Sequence, residues 1–219
     1  MLREGTKRLT PSENRYDTKV FCVGCNKTGT TSVKAAFNEL GYRVGDEVAA
    51  KYLTNNWACR NFQPIIDYCH TAEAFQDSPF SFPFTYQALD IAFPNSKFIL
   101  TVRDTSDQWY QSITRFHAKL WGDGEIPTRE QLQQAVNVYK GRPWEVNRLL
   151  FGSPPEQPYK KENLIDFYES HNKCIKEYFR HRPDDLLVLN VSSSSSYGDF
   201  CEFLGHPWTE KPFPWSNKT

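Results

Sequence analysis

No stretch of this chain approaches the ~20 consecutive apolar residues that a bilayer span requires, so no membrane span is expected. Net charge is missing as well. The 26 basic residues cancel the 26 acidic ones, which removes the general field that would draw nucleic acid or an anionic membrane and confines anion binding to a local site. The opening segment, residues 1–17, is polar and lacks the apolar run of a secretory leader; residues 1–18 read as a flexible arm and residues 19–219 as one domain, a length that suits a sheet covered on both faces. Six cysteines (Cys22, Cys25, Cys59, Cys69, Cys174 and Cys201) in 219 residues do not make a disulfide-dense framework. Cys22-x-x-Cys25 has no second CxxC to complete a zinc site, and only Cys69-His70 offers further ligands. Cys22 reads instead as a strand residue and Cys25 as a loop residue. No metal is expected. A glycan on the sequon at Asn26 would fall in the loop described next, which favours a compartment without N-glycosylation, and the expected location is cytoplasmic.

What is present is concentrated in Val20-Phe21-Cys22-Val23-Gly24-Cys25-Asn26-Lys27-Thr28-Gly29-Thr30-Thr31-Ser32. An apolar run stops at a glycine, crosses a loop rich in Gly, Lys and Thr, and enters a helical pattern over Val33 to Leu40. Strand, loop and helix in that order cradle a phosphate: N–H groups at a helix start, with the positive end of its dipole, hold the anion, and Lys27 adds a full charge. The loop is not that of the nucleotide triphosphatases, whose lysine follows the second glycine directly. Here Thr30 follows Gly29 and Lys27 precedes it, which argues against magnesium-dependent hydrolysis of ATP or GTP.

Along the rest of the chain, Tyr42 to Val44 predicts a short strand and residues 46–70 predict helical pieces. Ala72 to Gln76 predicts a buried strand running into Asp77-Ser78-Pro79, and Phe82 to Ala92 a helix. Lys97 to Val102 (KFILTV) is the clearest core strand, continuous and β-branched as strands buried on both faces are. Residues 106–120 predict an amphipathic helix with Trp109, Ile113, Phe116 and Leu120 on one face. Residues 128–151 predict a second helical stretch interrupted by Gly141 and Pro143. A proline-rich loop at 153–160, placed over the active site, precedes a long helix at 161–181, a strand at Leu186 to Val191 and helical spacing over Tyr197 to Leu204. Strands alternating with helices imply an α/β fold: a P-loop-like three-layer arrangement, a central parallel sheet flanked by helices. Ligands of such sheets bind at the strands' carboxyl ends, so the loops after the strands should face one cleft.

Those loops hold matching chemistry. Lys27 to Ser32 follow the first strand, Asp77 another, and Arg103-Asp104 a third, with Ser112 in the next helix. A guanidinium with a hydroxyl beside it makes a second anion clamp, and one ligand with two separated phosphates would occupy both. At this point the chain resembles the sulfotransferases that use 3′-phosphoadenosine 5′-phosphosulfate (PAPS). Their phosphosulfate loop is similar to Cys25-Asn26-Lys27-Thr28-Gly29-Thr30-Thr31-Ser32, and their 3′-phosphate motif to Phe98 through Asp104 with Ser112. More narrowly, it resembles the small branch with Val-Arg-Asp, Trp-Tyr and Ser (here Arg103-Asp104, Trp109-Tyr110 and Ser112) and a closing segment like Cys201 to Gly205, Phe213-Pro214 and Asn217. The resemblance runs colinearly over roughly residues 19–217. Two departures stand out: the family usually has proline where Cys25 or Asn26 stands, and Ser112 lies one residue further from Arg103 than is usual, which leaves Ser106 as a substitute.

The resemblance implies sulfuryl transfer from PAPS, as co-substrate, to a hydroxyl or amine of a small-molecule or glycan acceptor, with no nucleic-acid partner. Lys27 would meet the leaving oxygen, and Asn26, Thr28, Gly29, Thr30, Thr31 and Ser32 the 5′-phosphate. Arg103 and Ser112 would hold the 3′-phosphate. Asp77 would be the general base, set among Phe80, Phe82 and Phe84, where loss of water favours proton uptake. His70 and His117 are rival bases. Trp57, Phe82, Phe84, Trp121, Phe213 and Trp215 are candidates for an apolar acceptor pocket. The alternatives are a nucleotide kinase-like phosphotransferase and a non-catalytic nucleotide-binding protein of the same fold.

Overall fold

Alternation along the buried strands decides the layering. Successive side chains of a strand point to opposite faces, and here both sets are apolar. The computed structural model describes residues 18–207 and 211–214; the arm at 1–17, Trp215 and Asn217 lie outside them. Four strands, β1 (Val20–Cys22), β2 (Ala74–Phe75), β3 (Lys97–Thr101) and β6 (Leu186–Leu189), form a parallel sheet in the order β2-β1-β3-β6. Val20 pairs with Ala74 on one side and Lys97 on the other, and Thr101 with Leu189. The segment expected as a strand at Tyr42 to Val44 contributes one parallel bridge, Val44 to Ala74, outside β2.

Phe21, Phe75, Phe98 and Leu100 face one layer, where they meet Ile65, Leu89, Ile175 and Phe179. These come from α4 (Gln63–Tyr68), α5 (Thr85–Ala92), α9 (Lys161–Tyr178) and its C-cap. Val20, Cys22, Ala74, Ile99 and Leu189 face the other layer, against Val33, Phe37, Phe200 and Phe213, from α1 (Thr30–Glu39), α10 (Ser196–Phe203) and the tail. The result is the helix–sheet–helix arrangement expected. A third cluster of Cys25, Trp109, Ile113, Phe151, Tyr159 and Tyr168 lies where α6 (Ser106–Trp121), α8 (Arg142–Phe151) and α9 meet. Two short helices, α2 (Glu47–Lys51) and α3 (Thr54–Ala58), account for the rest of the 46–70 region.

The stretch expected as one helix over 128–151 is divided. After α7 (Arg129–Gln134) the chain turns extended at Ala135 and makes a small antiparallel hairpin, β4 (Val136–Asn137) and β5 (Tyr139–Lys140). Val138 at φ 73° and Gly141 at φ 82° supply left-handed turns that helical spacing of apolar residues does not reveal. The helix predicted from Phe82 begins at Thr85 because Phe84 is left-handed at φ 66°.

Candidate active site

β1 ends where its chain must pass close to β3. A Cβ at Gly24 would stand 2.1 Å from Thr101 Oγ1 and 2.6 Å from Thr101 N, so only glycine fits there. Beyond it the Cys25 carbonyl accepts from Thr28 N–H at 3.3 Å and from Thr28 Oγ1 at 2.5 Å. Thr28 is buried and also meets Thr101 Oγ1 at 2.5 Å; its side chain ties the loop to β3. Gly29, at φ 107°, caps α1 with no side chain of its own, and a Cβ on it would collide with Val191 Cγ2 at 2.4 Å. The first ladder bond runs from Val33 N–H to the Gly29 carbonyl at 3.1 Å. The N–H groups of Thr30, Thr31 and Ser32 therefore precede the ladder at the positive end of the helix, and no acidic residue stands in that first turn. This is the chemistry of an anion seat.

A cavity of about 350 Å³ opens onto this seat. Asn26, Lys27, Gly29, Thr30, Thr31 and Ser32 line it, and so do Asp77 and Arg103. Thr28 lies beneath it. Ser112 is half-buried on α6 and, like Ser106, is not among the lining residues. Arg103 Nε donates to the Lys27 carbonyl at 2.7 Å, and its N–H donates to Tyr168 Oη at 2.9 Å. Tyr168 stacks on Trp109 with ring centres 4.6 Å apart, and Trp109 Nε1 donates to the Asn26 carbonyl at 2.9 Å. Arg103, Trp109 and Tyr168 thus fasten the loop to the end of β3. Lys27 Nζ rests 3.8 Å from the centre of the Phe116 ring, and burial, then the charge of Arg103, lowers its pKa. An ammonium in that state gains from any anion that reaches it.

Asp77 lies beyond β2 with a left-handed backbone, φ 67°. Its Oδ1 accepts from Ser78 N–H at 2.7 Å, and its Oδ2 meets Lys51 Nζ at 2.9 Å. The apolar cage expected around it is not there. Phe80 is 1% exposed and packs on Phe75 in the core, while Phe84 is 47% exposed beneath the Arg60 guanidinium. Cations take their place: Lys51 directly, and Arg142, whose Nη2 donates to Ser78 Oγ at 2.7 Å and to Thr54 Oγ1 at 3.2 Å. Burial lowers the Arg142 pKa, and the nearby charge of Asp77 works against that. Sequence reasoning missed both cations; the only signal was the Glu47/Lys51 pair one helical turn apart.

A sequence model of the sulfotransferase domain matches residues 19–219. The chain belongs to that family. No curated protein matches it. As a sulfotransferase it moves a sulfuryl group and requires an acceptor substrate. No helix among the described residues is long and apolar enough to cross a membrane.

The sulfotransferase's apolar wall differs from the one expected. Trp121 and Phe82 line the cavity, as do Trp109, Ile113, Phe116 and Leu120. Trp57 instead packs on Phe82 and donates to the Pro83 carbonyl, and Phe213 packs on Tyr197 and Phe200. The loop at 153–160 provides no lining residue; the hairpin residue Asn137 does. The loop contributes Tyr159, whose hydroxyl lies 2.8 Å from His117 Nδ1 behind the wall. His70 is exposed on a short turn outside the cavity. Cys22 sits in β1 with its thiol pushed up to about 12 by burial, and burial also raises Cys25, so neither provides a ready thiolate.

His117 is depressed to about 3 by burial and then by the charge of Lys27. Burial also depresses His171, whose Nε2–H donates to the Val23 carbonyl at 2.9 Å. An unfolded histidine charges near pH ~6.5, so below that value the unfolded chain binds protons that the folded one refuses. Both histidines therefore contribute stability above about pH 6.5 that is lost as the pH falls toward the folded values. Melting temperatures between pH 7 and 4 should fall less steeply for His117→Gln than for the parent; parallel curves would mean that His117 is not held neutral.

Proposed function

We propose that the enzyme transfers the sulfuryl group of PAPS to a hydroxyl or amine of a small-molecule or glycan acceptor. One observation carries this reading: a single cavity collects the open start of α1, the Lys27 ammonium, the Arg103 guanidinium and the Asp77 carboxylate. The donor supplies a sulfuryl group activated as an anhydride with its 5′-phosphate. The N–H groups of Thr30, Thr31 and Ser32 seat that phosphate, and Arg103 takes the 3′-phosphate; Ser112, outside the cavity lining, is left without that role. Asp77 removes the acceptor's proton as the new bond to sulfur forms. The bond from sulfur to the bridging oxygen breaks, and its electron pair goes to the 5′-phosphate oxygen facing Lys27. Because charge grows there only as the bond breaks, Lys27 stabilises the transition state more than the bound substrate. The sequon residue Asn26 lines the same cavity, so we assign the enzyme to the cytoplasm, where that asparagine stays unglycosylated.

The test is nucleotide discrimination. The product 3′-phosphoadenosine 5′-phosphate, at about 100 times its Kd, should stabilise the fold by about 2.7 kcal/mol, while ATP, which lacks the 3′-phosphate, should do far less. Arg103→Ala should weaken the product's binding by roughly 1.5–3 kcal/mol through loss of charge-assisted bonds. Equal stabilisation by ATP, or unchanged affinity in the variant, would remove the 3′-phosphate from the assignment.

A further inference from the structure

The Lys51–Asp77 pair is not a surface ornament. The two side chains are only 16% and 14% exposed, so bulk solvent screens them weakly. On its other side Lys51 Nζ lies 3.7 Å from Glu47 Oε2, and Glu47 Oε1 is held at 2.5 Å by Lys34. Lys34 belongs to α1, whose first turn is the anion seat. Charges of alternating sign therefore run from the seat's helix to the carboxylate: Lys34, Glu47, Lys51, Asp77. Arg142 braces the pair from α8, with Nε donating to the Lys51 carbonyl at 3.4 Å and Nη2 to Ser78 Oγ. Glu47, Lys51, Asp77 and Arg142 all line the cavity.

The geometry points to Lys51 as the positioning residue of Asp77. This inference rests on the reading of Asp77 as the base. The division of labour at the carboxylate supports it. Oδ1 accepts the Ser78 N–H and Oδ2 the Lys51 ammonium; each oxygen has a second lone pair, so the acceptor's proton has a place to go while the group stays anchored at both ends. The backbone of Asp77 is left-handed, a conformation that aspartate tolerates better than most side chains, and the ion pair fixes the side chain that this backbone presents. The other charged groups facing the pair are Glu47 from the same helix and Arg142 from α8. Arg142 in turn feels Glu145 and Tyr139, whose hydroxyl donates to Glu145 at 2.6 Å.

The test compares Lys51→Met, Lys51→Arg and Asp77→Asn in the full chain, measuring kcat, acceptor KM and affinity for 3′-phosphoadenosine 5′-phosphate. Lys51→Met should lower kcat by about 10- to 100-fold, as expected for a misplaced reacting group, and leave nucleotide affinity unchanged. Lys51→Arg, which keeps a donor and a charge, should recover most of the rate. A Lys51→Met enzyme with wild-type kcat would overturn the inference. So would a rise in acceptor KM alone, which would make Lys51 an acceptor contact, or a matching loss of nucleotide affinity, which would make it part of the donor seat. If Lys51→Met fails to fold, Lys51→Arg decides: a folded Lys51→Arg enzyme whose kcat falls by about 10- to 100-fold, the loss expected of a misplaced base, would exclude positioning by a cation at this place. An active Asp77→Asn enzyme would instead overturn the base itself, whereas a dead Asp77→Asn beside a normal Lys51→Met would sink only the role of Lys51.

Discussion

Lys27→Ala is expected to lower kcat by about 10²–10³-fold, the usual worth of one group aimed at a developing oxyanion. The loop that carries Lys27 does not depend on its side chain. Thr28 is tied to Cys25 and Thr101, Gly29 starts α1, and Arg103 holds the Lys27 carbonyl through its Nε. The variant should therefore fold, and its N–H groups should still seat the 5′-phosphate. The ammonium rests on the Phe116 ring with its pKa lowered by burial and by Arg103, so an anion that reaches it is favoured. Initial rates alongside nucleotide affinity separate the cases. A fall in kcat with affinity nearly preserved marks transition-state stabilisation; a weaker Kd with normal kcat would make Lys27 a simple binding contact. Lys27→Arg should recover only part of the rate, because a planar fork does not replace a compact point charge.

The layers were legible because their physics is local in sequence. Phe98 to Thr101 reads as a core strand by its unbroken apolar run, and Gly24 and Gly29 mark a strand end and a helix start. Lys27 and Arg103 could be placed at one cleft by topology alone, since parallel strands end on the same side. What was not legible depended on contacts between distant segments. Phe82 and Phe84 are near neighbours in sequence, yet Phe82 joins the core cluster and the cavity wall while Phe84 is 47% exposed beneath Arg60. Arg142 reaches Ser78 across 64 residues, a contact no spacing rule predicts. The hairpin between α7 and α8 was hidden because apolar residues at helical intervals persist through it, while the break is made by backbone conformation at Val138 and Gly141. The environment of Asp77 failed for the same reason. Composition around it suggested phenyl rings, whereas its carboxylate meets Lys51 of α2, with Arg142 of α8 on the neighbouring Ser78.

That environment sharpens the last expectation, which concerns Asp77→Asn. The substitution preserves size and still offers an oxygen to the Ser78 N–H or to Lys51, but an amide cannot take the acceptor's proton. Sulfuryl transfer should fall by about 10²–10⁴-fold, the span typical of a lost general base. Nucleotide affinity should be unchanged, because the donor seat is built from α1 and the end of β3. Folding carries a smaller cost. Lys51 keeps Glu47 within 3.7 Å and Arg142 keeps Ser78 and Thr54, so neither cation is stranded when the carboxylate is neutralised. His117 forecasts differently. It lines the cavity, and its Nδ1 is already engaged by the Tyr159 hydroxyl at 2.8 Å. If His117 were nevertheless the base, His117→Gln would be the dead variant and Asp77→Asn would turn over normally. Single-turnover rates of the two variants, each with product-nucleotide affinity measured in parallel, distinguish the two. An active Asp77→Asn enzyme would reduce Asp77 to a partner of Lys51 that shapes the turn before Pro79.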